Sequence, residues 1–334
     1  YPWKGTPGPA INGLKDLTRW WDHWLKDIDT GMMDEPALRC WMQEAAPPQT
    51  SYEHRPGRWV AEDSWPADGI EQRAYCLNGD GLSTKARKPQ VLQHKSEVLA
   101  GVTHGDWCPY GFEAEMPSDQ REEDGRSLCF DTPPLLRRTE VLGEPVLELD
   151  LSCDQPQGLL YVRLCDVAPD GASTRISYGL LNLTHRNGHE TPEPVDPGKT
   201  MRVAVALNDC GHAFAQGHRI RVTVQTACWP IAWPSAAAAT IAVTTGSSMF
   251  RLPVRPRNGA DSRLLSLGQP ATAAPFVTTV WQQPHRSRTL ARDFASGETV
   301  VRMVKDRGHY RIDGTGTELS GGGVETYTIR DGEP

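Results

Sequence analysis

Two imidazoles four residues apart, His185 and His189, are the first groups in this chain whose spacing could do chemistry. On a helix that separation places both rings on one face, as zinc sites often require. Asn187 and Gly188 lie between them, however, and that pair breaks helices and favours a turn. No third ligand stands at useful spacing, so the reading is a hydrogen-bonded loop histidine and no metal. Acyl transfer by serine needs a hydroxyl on a strained strand-to-helix turn, G-x-S-x-G, with a base and an oxyanion hole. The chain has no such pentapeptide. Gly246-Ser247-Ser248 and Gly171-Ala172-Ser173 lack the second glycine.

Other polar groups read more simply. His212 and His218 each follow a glycine near a strand start, where they can cap loop carbonyls or face a substrate. Asp119, Glu122, Glu123 and Asp124 could bind a cation or a substrate amine, but a solvated charged loop accounts for them. Trp229 and Trp233, each followed by proline, put two rings on a stiff loop, suited to packing or to stacking on a sugar or acyl group. No cofactor is called for by any of these residues.

The elements that must position such groups follow from periodicity. Residues 10–29 carry Leu14, Leu17, Trp21, Trp24, Leu25 and Ile28 on one helical face, with Trp20 beside it. Three buried Trp rings would remove about 150–250 Å² each from water, so this helix needs a partner surface. The chain's own sheet and a neighbouring domain are both open as that partner. The chain starts Tyr1-Pro2-Trp3 and runs at once into this helix, which reads as the rear part of a larger protein.

Beyond Pro36 the period changes to two. Leu147, Leu149 and Leu151 alternate with acids. Met201, Val203, Val205 and Leu207 repeat the device, as do Ile220, Val222 and Val224, then Ile241 and Val243. These are half-buried antiparallel strands. Residues 168–171 (APDG) predict a tight turn between two of them. The fold class expected is mainly β, a jelly-roll β-sandwich. Residues 64–130 read as long ordered loops crossing one end of it. A composition shift at 253–275 marks a boundary, followed by strands near 299–304 and 325–330 with a turn at 306–308.

Composition narrows the function. The chain has 334 residues, about two domains' worth, with 38% hydrophobic residues, 31 Gly, 27 Pro and a formal net charge of −7. That charge is spread out, which argues against nucleic-acid and anionic-membrane partners. The most apolar stretch, 231–243, is too short and broken to span a membrane. Eight cysteines without a CxxC pair point to reduced, buried thiols and a cytoplasmic setting.

The order of motifs resembles one family. Residues 20–26 (WWDHWLK), 32–38 (MMDEPAL), 41–44 (WMQE), 58–62 (RWVAE), 119–120 (DQ) and 127–135 (SLCFDTPPL) are similar to the junction and C-terminal region of the cocaine esterase-like (CocE/NonD) hydrolases. X-prolyl dipeptidyl-peptidases belong to the same broader group. Residues 140–143 (EVLG), 162–167 (VRLCDV), 169–171 (PDG), 181–186 (LNLTHR) and 217–221 (GHRIR) continue the resemblance. It covers roughly residues 1–255, and the tail from 256 resembles an extension found in some members. The resemblance implies an α/β-hydrolase domain with a Ser-Asp-His triad joined to a galactose-binding-like jelly roll.

The nucleophile elbow would lie upstream and the triad histidine just before Tyr1, so no catalytic residue maps onto this chain. Residues 1–35 would be the last helical piece of the hydrolase domain, 36–255 the jelly roll, and 256–334 an incomplete β-rich extension. The first helix would dock on the hydrolase domain. The jelly roll would shape the active-site mouth, with Trp107, Trp229 and Trp233 as candidates for its wall. The alternatives are an autonomous jelly-roll carbohydrate binder using Trp233, and an assembly module that makes a homo-oligomer through the Trp helix.

Overall fold

The computed structural model describes residues 8–256 and 259–332; the opening residues 1–7 lie outside that range. Helix α1 (Gly13–Lys26) leads into the strands β1 (Leu38–Glu44), β2 (Gly57–Glu62), β3 (Glu71–Asn78), β4 (Gly81–Ser83) and β5 (Val91–His94). A short helix, α2 (Arg121–Asp124), precedes β6 (Leu128–Asp131), β7 (Thr139–Gly143), β8 (Val146–Cys153), β9 (Leu159–Val167) and β10 (Ser173–Asn182). Next come β11 (Met201–Ala206), β12 (Cys210–Phe214), β13 (Arg219–Gln225) and β14 (Ile241–Arg255). The tail holds β15 (Thr278–Gln282), β16 (His285–Arg292), β17 (Glu298–Ile312) and β18 (Thr317–Arg330).

Two sheets make a β-sandwich. The larger runs β11-β8-β14-β7-β12-β1-β2, with β3 and β5 added on β14 and β4 on β3; the smaller runs β10-β9-β13-β6. The alternation in β8 does what a period of two dictates: Leu147, Leu149, Leu151 and Cys153 are buried while Glu148 and Asp150 face outward. They meet Leu160, Val162 and Leu164 of β9 and Ile220, Val222 and Val224 of β13 in one core. The 168–171 turn closes β9 onto β10: Gly171 donates to Ala168 O at 2.9 Å and adopts φ +88°, which glycine tolerates best.

Residues 64–130 are not the run of long loops that the sequence predicts. Strands β3, β4 and β5 lie within that stretch and belong to the large sheet, because Tyr75, Leu77 and Leu82 reach the core. Only about residues 95–120 form the long loop.

In the tail, β15 and β16 pair with the two halves of β17, and β18 pairs along its other edge. Residues 306–308 are not a reversing turn but a bulge within β17, with Asp306 accepting the Gly308 N–H at 2.8 Å. Val301, Met303 and Ile329 seat this sheet on Leu99 and Trp229 of the sandwich loops.

Candidate functional site

Helix α1 is built from local signals. The Asn12 side chain accepts the Lys15 N–H at 3.2 Å, Lys26 pairs with Asp22 at 2.6 Å, and Asp27 closes the helix in the left-handed conformation. Arg19 reaches Glu35 at 2.6 Å, and Glu35 holds Arg39 of β1 at 2.8 Å, which ties the helix to the sandwich by charge. No α1 residue is buried. Leu14, Leu17, Trp20, Trp21, Trp24, Leu25 and Ile28 are all exposed, Leu25 to 71%. Packing of this face on the chain's own sheet is thereby excluded, and a continuous apolar stripe faces outward.

The three tryptophans proposed for a wall part company. Trp107, on the 95–120 loop, is 70% exposed, and its carbonyl accepts the Tyr178 hydroxyl at 3.0 Å. Trp233 is 60% exposed on the neighbouring 226–240 loop. Trp229 is completely buried under the tail sheet, so its ring packs instead of facing outward. Gly101 brings the two loops together: φ is +102°, and a Cβ there would lie 2.6 Å from Cys228 Cα. Trp107 and Trp233 thus ride on loops that touch backbone to backbone.

His185 and His189 approach through their Nδ1 atoms at 3.1 Å on an exposed loop, and no cluster of three metal-binding side chains occurs among the described residues. Ser248 sits in β14, where its hydroxyl donates to Thr244 O at 2.7 Å; Ser173 is buried in β10. Neither lies on a strand-to-helix turn.

The acidic run is solvated only at Asp119 and Glu122; its other two members are buried. Glu123 is fully buried and accepts from Gly101 N at 2.9 Å, Thr103 N at 3.3 Å and Gln225 Nε2 at 3.0 Å. Asp124 is held by Arg163 at 3.2 Å and Arg221 at 2.8 Å. A buried carboxylate persists only when its lone pairs are used this way. His212 and His218 are likewise not loop caps: both donate to the buried Asp166, at 2.8 Å and 2.7 Å. Desolvation holds His212 below the ordinary histidine range despite that carboxylate. Sequence reading missed Arg163, Asp166 and Arg221 as organisers.

A second network occupies the other edge. Arg255 is fully buried and binds Glu62 at 2.6 Å, Glu140 at 3.2 Å and Asp261 at 2.7 Å, while Arg58 bridges Glu140 and Asp261. Many of the family-like motifs fall on these two networks: 58–62 and 140–143 on this one, and 119–120, 127–135, 162–167 and 217–221 on the other. They are motifs of architecture. All eight cysteines are free; burial pushes the Cys165 and Cys210 thiols up to about 12. No helix among the described residues is long and apolar enough to cross a membrane.

Known proteins resemble this chain in sequence and in fold. The cocaine esterase of a Rhodococcus strain is 25% identical over 189 residues, covering 52% of this chain and 32% of that protein. A Mycobacterium bovis protein named as a serine esterase is 25% identical over 247 residues, 67% of this chain and 37% of its own length. The chain therefore spans about a third of the length of the curated relatives it matches. Among solved structures, a CocE/NonD family hydrolase from Staphylococcus aureus superposes with a TM-score of 0.56 at 17% identity, over 73% of this chain and 45% of that one. An α-amino acid ester hydrolase gives 0.51 at 22% identity, over 59% and 39%. The family model described as the X-Pro dipeptidyl-peptidase C-terminal non-catalytic domain matches residues 30–284. The chain belongs to that family, the non-catalytic C-terminal domain of CocE/NonD-type hydrolases.

Proposed function

We propose that this chain covers and shapes the active site of a serine hydrolase whose α/β-hydrolase domain carries the catalytic triad. The observation that carries this reading is the α1 face: six large apolar residues stand exposed on a helix that buries none of them, and Ile28 just beyond it is exposed too. Burying one such side chain is worth about 1.5–3 kcal/mol, so a partner surface gains much by covering the stripe. The hydrolase domain is the proposed partner, and a homo-oligomer through the same face is the competing occupant.

On this reading the sandwich is a galactose-binding-like jelly roll beside the active-site mouth, in a cytoplasmic enzyme that cleaves esters or X-Pro peptides. Trp107 and Trp233 supply the wall, excluding water and limiting the acyl or leaving groups admitted. Trp229 supports them from beneath by fixing the loop that bears Trp233.

Turnover of a chromogenic ester series tests it. The chain alone turns over none, and the full-length protein is active. In that protein Trp107→Ala and Trp233→Ala shift kcat/KM between short and bulky acyl esters by about 10-fold, a few contacts' worth of transition-state discrimination. Hydrolysis by the isolated chain, abolished by a serine-directed inhibitor, overturns the reading. Light scattering distinguishes a self-associating chain.

A further inference from the structure

Where the tail sheet meets the sandwich, several buried polar atoms are left over by the chain's own hydrogen bonds. His104 is fully buried, its ring 4.5 Å from Tyr178 and 5.4 Å from Tyr161, and neither ring nitrogen completes a hydrogen bond among the described residues, although a weak contact with the Gly105 backbone favours its protonation. The buried indole Nε1 of Trp229 has no acceptor. Arg175 of β10 lies 4.6 Å over the same Tyr178 ring with its Nη1 unused, and Arg288 of β16 leaves its Nη2 unused. Arg163 Nε is a further such donor, but Asp124 Oδ1, 3.2 Å from Arg163 Nη2, is likewise short of a hydrogen bond and offsets it.

The nearby carboxylates are committed elsewhere. Glu123 serves the 101–103 backbone and Gln225. Asp124 serves Arg163 and Arg221. Asp106 holds Lys305 at 2.9 Å and reaches Arg288 only through Nη1 at 3.5 Å. Burial, with Arg175, Arg288 and Arg163 close by, keeps His104 well below the usual histidine range, so its ring brings one donor and one acceptor. Arg288 is itself pushed down, first by burial, with Arg175 among the opposing charges.

The unmet donors at the seam are Trp229 Nε1, Arg175 Nη1 and Arg288 Nη2, two of them cationic, and they face neutral acceptors, one His104 nitrogen, Gln225 Oε1 and the Tyr161 hydroxyl beside Arg175, while Asp124 Oδ1, also short of a hydrogen bond, faces Arg163 at 3.2 Å. Each buried donor left unmet costs about 1–3 kcal/mol, and native proteins rarely tolerate several together. A water molecule accepts from two donors at most, whereas a monatomic anion accepts from every side and offsets the positive charge. We propose that this seam binds one small anion of halide size, held by Arg175 and Trp229 of the sandwich, Arg288 of the tail sheet and His104 between them. The anion would join the two layers, since its ligands come from both. A cleft of about 300 Å³ lined by Thr103, Gly105 and Arg288 gives an approach from solvent.

Bromide tests this directly. Crystals of the full chain grown in sodium bromide should show an anomalous peak within hydrogen-bonding reach of Arg175 Nη1 and Arg288 Nη2. In solution, sodium chloride or bromide should raise the melting temperature saturably above sodium gluconate at equal ionic strength. Arg288→Gln and the shape-preserving Trp229→Phe should each weaken the half-saturating halide concentration at least ~10-fold, as expected for a charge-assisted hydrogen bond. Waters alone bridging the seam, or bromide found only at exposed arginines as an adventitious ion only, would overturn the assignment. The wild-type crystal decides the matter even where a variant fails to fold.

Discussion

Arg221 of β13 and Asp131 of β6 are register partners across antiparallel strands, and their side chains form a bidentate pair, Nε to Oδ1 and Nη2 to Oδ2 both at 2.7 Å. The third arm of the same guanidinium, Nη1, holds Asp124 at 2.8 Å. One side chain thus fastens the edge of the small sheet to the short helix α2, and through Glu123 to the loop that bears Trp107.

Removing that arginine should be costly. Arg221→Gln leaves Asp124 and Asp131 short of a cation in a largely buried place, a loss of about 3 kcal/mol in urea unfolding. Arg221→Lys keeps the charge but loses the fork, and should recover only part of it. A change under 0.5 kcal/mol for Arg221→Gln would show that the network does not hold the edge.

Gly101 should resist substitution. Its φ of +102° disfavours any side chain, and Cys228 Cα leaves no space for a Cβ. Gly101→Ala is expected to destabilise by about 1–3 kcal/mol and to speed hydrogen exchange in the 95–120 loop. Unchanged exchange there would mean that the two loops are not joined at this point.

Stability should fall on mild acidification. His104 and His212 are both held below the ordinary value near 6.5 by burial. Above that value neither folded nor unfolded chain binds the proton, and no penalty arises. As the pH falls through about 6.5 the unfolded chain takes up protons that the folded chain refuses, so stability drops by about 1.4 kcal/mol per unit for each histidine until the folded value is reached. Glu140, Glu148 and Asp261, depressed by their arginine partners against the opposing effect of burial where it applies, lose their contribution only lower, below about pH 5. Urea midpoints between pH 7.5 and 5.5 should show the slope for wild type and a shallower one for His104→Phe. An equal slope in that variant would mean that His104 does not contribute to the acid sensitivity.

The sequence showed some layers of this architecture clearly and hid others. Leu147, Leu149 and Leu151 were legible because one face of β8 is buried and the other is not, which is what alternation reports. The α1 stripe was legible too, although its destination was not. The buried charges were opaque: Glu123 and Asp166 look like surface acids until their partners are known, and Gln225 lies 102 residues from Glu123. Residues 306–308 carry the composition of a turn, yet the strand continues because β16 and β18 hold both edges of β17 around the bulge. Trp229 and Trp233 look alike in sequence, and only the tail sheet, packed on one of them, separates their roles.

Thiol chemistry gives a simple check on burial. Cys108 is exposed and should react with an aromatic disulfide reagent at pH 8 in the native state. Cys165 and Cys210, raised to about 12, should react only on unfolding. Early labelling of Cys165 would contradict the packing of β9.

The proposed role requires the α1 face to meet a hydrolase domain, and hydroxyl-radical footprinting of Trp21 and Trp24 measures that contact most directly. Both rings should be oxidised readily in the isolated chain, where Trp21 is 53% and Trp24 51% exposed. In a full-length protein carrying the hydrolase domain ahead of the chain, the same rings should be protected at least ~10-fold, as full burial of a tryptophan face requires. Equal oxidation in the two would contradict the docking and, with it, the assigned role.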